Sequence, residues 1–146
     1  MEKLGKHMVR SRKERGAALV EFAIILPLLL LIVLGIVEFG WTFGQYNDIR
    51  HGAREAARLA AVNAGSHTSM GTTACAAMDL TTGATTIEFT DGGAVGAEAT
   101  VVVTSDHEAI SGVALFDAML PSAITSTVKI RMEQPSTSWG SGTHPC

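Results

Sequence analysis

With 146 residues and a net charge of −3, the chain has room for one modest domain beside a membrane anchor and excludes a large multidomain enzyme. A mean hydropathy of +0.26 is high for a water-soluble protein, and aromatics at 5% leave any folded part a small core of Val, Ile, Leu and Ala. Charge is divided along the chain: residues 1–16 hold six Lys/Arg (Lys3, Lys6, Arg10, Arg12, Lys13, Arg15) against Glu2 and Glu14, a formal +4, and the remainder carries −7.

That basic leader, 1–16, flanks an almost wholly apolar segment, 17–44. The positive-inside rule keeps the leader cytoplasmic and sends the C-terminal part across the membrane. Arg50, Arg54 and Arg58 weaken the contrast without reversing it. A nucleic-acid arm is the other reading of a basic leader, but this one is short and abuts a membrane helix, so no nucleic-acid partner is expected.

The uncharged stretch 22–37 would span about 24 Å as a helix, short of a roughly 30 Å hydrocarbon core. Extended to Gly44 it crosses comfortably. Glu21 and Glu38 then lie near the two boundaries, and Trp41 sits at the outer interface. Pro27 removes one backbone donor and should bend the helix. A carboxylate such as Glu21 is costly inside hydrocarbon and seldom present without a use. A removable signal peptide would need a small-x-small site soon after the apolar run, and residues 37–43 supply no good one, so the helix is expected to stay.

The helical pattern continues through 45–64. Tyr46, Ile49, Ala53, Ala56 and Ala60 line one face, while Asp48, Arg50, Arg54, Glu55 and Arg58 occupy others. Asn63-Ala64-Gly65-Ser66 is a plausible stop, giving a helix over 17–64 some 70 Å long. Its alanine seam fits either the chain's own outer domain or a neighbouring subunit. Glu38 reads as an interfacial carboxylate reaching headgroups or water, or as a second intersubunit pairing. Gly40 and Gly44 have the spacing that permits close helix crossing, a pattern also common by chance.

Residues 65–134 read as an outer α+β domain: a short helix over 72–80, strands over 85–90, 97–105 and 125–133, and a helix over 108–120 before Pro121. Asp91-Gly92-Gly93 links the first two strands as a tight turn or short loop. The fold class expected is α+β, a long N-terminal helix followed by a small, mainly antiparallel sheet. The Ser-, Gly-, Thr- and Pro-rich tail 135–146 should be loop or disordered unless Cys146 is bridged. Cys75 and Cys146 both fall on the outer side, where an oxidising compartment would permit a disulfide; two unrelated thiols are the alternative.

Catalytic patterns are absent from the sequence. His51, His67, His107 and His144 are scattered, and only His107, in Asp106-His107-Glu108, is crowded by carboxylates. No metal-ligand spacing, nucleophile elbow or phosphate loop recurs. No cofactor, metal or enzymatic activity is expected.

Gly16-Ala17-Ala18-Leu19-Val20-Glu21-Phe22 resembles the processing site of type IV prepilins: basic leader, glycine, cut, then glutamate at the fifth mature position. The longer stretch, through Leu26-Pro27-Leu28-Leu29 and Gly35-Ile36-Val37-Glu38-Phe39-Gly40 to Ala53-Arg54-Glu55-Ala56-Ala57-Arg58, looks like the TadE-like pseudopilins of the tight-adherence (Tad, or Flp) pilus machinery. The resemblance implies cleavage between Gly16 and Ala17 by a prepilin peptidase at the cytoplasmic face. It implies that Glu21 neutralises the terminal ammonium of a neighbouring subunit, because opposite charges offset one another's burial cost. Implied partners are the prepilin peptidase, other pilins and pseudopilins, the inner-membrane Tad assembly platform and the lipid bilayer. The main Flp-type pilins are little more than one helix, so the outer domain implies a minor component. The competing expectation is an uncleaved, permanently anchored envelope protein.

Overall fold

A computed structural model describes residues 4–107 and 109–146, with side chains from Gly16 onward. The expectations for the side chains of the basic leader, and for Glu108 as a helix start, lie outside the described residues. The chain divides into two compact units, Met1–Val37 and Glu38–Cys146.

In the first unit the backbone is helical. Helix α1 runs Leu4–Ala61, so it begins inside the leader rather than at Ala17. Lys, Arg, Glu and Ser occupy that stretch without a proline, and nothing there stops a helix already nucleated downstream. From Leu19 to Val37 the large apolar side chains are exposed, apart from the half-buried Leu26. The helical assignment is unbroken across Pro27.

The second unit starts at Glu38 and takes in the rest of α1. Ile49, Ala53, Ala56 and Ala60 have no exposed surface and Ala57 almost none, which is the seam read from the spacing except for Tyr46, whose side chain is exposed. Gly52 lies on the same face, where a Cβ would overlap the Met78 thioether. After Ala61 the helix closes with Asn63 in the left-handed region (φ 54°), and the Ala64 N–H donates to the Leu59 carbonyl at 3.0 Å. Asparagine tolerates this conformation better than most residues.

Helix α2 runs His67–Cys75 rather than 72–80. Its start is set by Ser66, whose Oγ accepts from the Ser69 N–H at 3.2 Å, a side-chain cap that satisfies one free donor of the first turn. Strands β1 (Thr85–Thr90), β2 (Glu98–Asp106), β3 (Ala123–Arg131) and β4 (Gly142–Pro145) form one antiparallel sheet in the order β3-β2-β1-β4. β1 agrees with its sequence reading. β2 begins one residue later than expected, and β3 lies two residues earlier because pairing runs from Asp106 opposite Ala123 to Glu98 opposite Arg131. Register places Ile87 opposite Val103 and Phe89 opposite Val101. These four side chains are fully buried and join the α1 seam, Met70 and Ala74 in one cluster.

The tail carries a strand absent from the sequence reading, together with the disulfide that reading allows. β4 pairs with β1, Trp139 is buried with its ring edge-on to Phe89 at 6.1 Å between centroids, and Cys146 is bonded to Cys75, with their Cα atoms 5.6 Å apart. Helix α3 is also shorter than read, Ala114–Met119. Gly112 lies in the left-handed region (φ 63°), and the backbone N–H groups just before it are bound by a side chain of α1.

Candidate assembly and anchoring site

That side chain is Glu38. Its Oε1 accepts from the Ile110 N–H at 2.7 Å and its Oε2 from the Ser111 N–H at 2.9 Å. The residue has no exposed surface. Glu38 therefore differs from both expectations: in this chain its carboxylate neither reaches solvent nor is left free for a neighbour, because two donors of its own second unit occupy it. A carboxylate accepting two backbone donors keeps its charge at tolerable cost when buried.

The next turns of α1 extend the network. Thr42 Oγ1 lies 2.9 Å from the Glu38 carbonyl and 3.1 Å from His107 Nε2. Gln45 Oε1 lies 2.6 Å from His107 Nδ1, while its amide nitrogen donates to the Leu80 carbonyl at 3.2 Å and to Thr82 Oγ1 at 3.1 Å. Those two acceptors fix the amide orientation. Its oxygen must face the ring, and Nδ1 must carry a hydrogen. Asp48 completes the row, its Oδ2 accepting from the Leu80 N–H at 2.8 Å, so α1 holds both backbone groups of Leu80. One helix face thus pins two loops.

Sequence reasoning missed the roles of Thr42, Gln45 and Asp48 and weighed His107 only as a catalytic or metal-binding group. Positions 38, 42, 45 and 48 share a helix face by the +4, +3, +3 spacing, the one signal that could have grouped them. Among the described residues, no group of three or more His, Cys, Asp or Glu could hold a metal ion.

The remaining sequence-derived residues separate. Gly16 and Gly40 have no heavy atom within 4 Å of where a Cβ would stand, and Gly44 has only the Leu80 methyl, at 3.5 Å. Any close helix crossing at Gly40 would therefore involve another chain, while Gly44 faces the chain's own loop. Ala53, Ala56 and Ala60 are buried within the second unit. Ala17, Glu21 and Phe22 lie on the exposed part of α1. On its outer surface, Glu55 accepts from Arg58 Nη2 at 2.6 Å and Nε at 3.0 Å. This fork, together with the guanidinium charge, holds the Glu55 carboxyl below its ordinary range.

The helix Gly16–Ala61 contains a window of mean hydropathy 2.9, none of it buried. It is long and apolar enough to cross a membrane and is compatible with single-pass anchoring. No curated protein and no solved structure matches the chain. One family model does, that of the TadE-like protein family, over residues 16–58. Over these residues the chain is similar to that family.

Proposed function

We propose that the chain is a minor pseudopilin of a Tad-type pilus. It is cut by a prepilin peptidase between Gly16 and Ala17 and then takes part in assembling or initiating the filament. The observation that carries this reading is the family match beginning at Gly16 on an apolar helix whose side chains are exposed. Gly16 has no Cβ and open space around it, so a peptidase can unwind the helix there. Cleavage leaves an ammonium at Ala17 and the Glu21 carboxylate one helical turn away on the same face. Between adjacent subunits the two charges offset each other's cost in lipid and set an axial register.

The role is structural and non-catalytic. Expected partners are the peptidase, other pilins and pseudopilins, the assembly platform and the bilayer, with the leader cytoplasmic and the outer unit beyond the inner membrane. The test is the N-terminal peptide, read by mass spectrometry on membranes from cells with and without the prepilin peptidase. A terminus at Ala17 that depends on the peptidase supports the reading. An intact leader in both strains refutes it and marks a fixed anchor.

A further inference from the structure

His107 and residues 109–122, between β2 and β3, form a lobe with apolar side chains turned outward. Ile110 is 56% exposed, Leu115 49% and Met119 65%, while Phe116 turns inward. The lobe contains no Lys or Arg. Beside it on α1, Phe39 and Phe43 are also more than half exposed. With Met119, Leu120, Pro121 and Ile124 they line an open apolar groove. Exposed apolar groups gathered in this way mark a surface made for a partner.

What covers it follows from where the lobe is tethered. Glu38 comes directly after Val37, the last residue of the uncharged run. Both of its carboxylate oxygens are committed to the lobe, at Ile110 and Ser111, and His107 is bound by Thr42 and Gln45 within the next two turns. The lobe is thus fastened to the helix where the apolar run ends, close to Trp41, a residue type that favours the lipid–water boundary. We propose that residues 110–119 are a second membrane contact. In this arrangement Ile110, Leu115, Met119 and the adjoining Phe39 and Phe43 rest among the upper acyl chains of the outer leaflet. The proposal rests on the reading of residues 17–44 as membrane-spanning. Because the lobe lacks cationic side chains, attachment comes from apolar area and needs no anionic headgroup.

The test uses the full chain in vesicles of phosphatidylcholine that include a phosphatidylcholine with a carbene-generating acyl chain. After illumination, lipid adducts are mapped by proteolysis and mass spectrometry. The expected result is adducts in residues 110–119 as well as in 22–37, insensitive to high salt, with Thr85–Thr90 and Gly142–Pro145 unlabelled. Adducts in 22–37 without any in 110–119 overturn the proposal while leaving the membrane span intact. Cross-links between copies through 110–119 in place of lipid adducts overturn it in favour of a second chain. A chain unlabelled throughout 22–37 refutes the anchoring reading and the proposal with it. Replacing Leu115→Glu together with Met119→Glu, both exposed, should abolish the 110–119 adducts and spare those in 22–37. Glu38→Ala, by releasing the tether, should lower the same adducts several-fold. The wild-type measurement needs neither variant to fold.

Discussion

Replacing Glu38→Ala should loosen the lobe between β2 and β3 without unfolding the sheet. Two backbone donors bind the carboxylate, at 2.7 and 2.9 Å, and hydrogen bonds to a charged group contribute roughly 1.5–3 kcal/mol each. The gross loss is therefore about 3–6 kcal/mol, reduced because water reaches the freed N–H groups once the lobe lifts. Local opening also caps the effect, since the lobe can detach while β1, β2 and β4 stay paired. A net local destabilisation of about 2–4 kcal/mol follows. Amide hydrogen exchange on the full chain in detergent micelles reads it directly. Peptides covering residues 109–122 should exchange roughly 30- to 800-fold faster, since each ~1.4 kcal/mol is a factor of ten, while Thr85–Thr90 stays protected. Glu38→Gln retains one acceptor oxygen and should fall between the two. Lobe exchange as slow in Glu38→Ala as in the wild type would refute the argument that this carboxylate holds residues 110 and 111.

Reducing the bond between Cys75 and Cys146, 71 residues apart, should cost about 4 kcal/mol in the chain-entropy model. It should also release β4, seen as loss of amide protection at Gly142–Pro145 before the rest of the sheet. Ala56→Leu places three extra carbons in a fully buried seam and should destabilise the second unit by about 1–3 kcal/mol, measured as a lower thermal midpoint by circular dichroism. The Glu55 carboxyl, lowered by Arg58, should titrate below an ordinary glutamate by NMR and return upward in Arg58→Gln. Its contribution to stability is present above the ordinary carboxylate pKa and disappears as pH falls through the lowered one; salt should weaken it as well. Gly16→Ala and Glu21→Ala should each reduce pilus number by electron microscopy, and normal numbers in both would count heavily against an assembly role.

Much of the helix is legible in residue order alone. An apolar run with few charges can be satisfied in lipid only by closing its backbone hydrogen bonds within itself, and the alternation of small residues with charged ones names the buried face of 45–61. β1 could be read because Ile87 and Phe89 alternate with Thr and Glu between turn residues. Element ends were harder, because they depend on who takes the free donors. Ser66 starts α2 early, while Glu38, more than seventy residues away in sequence, shortens α3 by holding Ile110 and Ser111.

The same division holds for the chain's charged and small residues. Local sequence determined the Gly16 and Glu21 pattern on which the proposed processing rests, the apolar length and the basic flank, because each follows from neighbours along one helix. Tertiary structure decided which partners Glu38, Gln45, Asp48 and His107 hold, that the alanine seam is filled by the chain's own core, and that the tail forms a strand beside β1. Those outcomes depend on strand order and on contacts distant in sequence. A side chain records its periodicity in its neighbours, but its hydrogen-bond partner only in the fold.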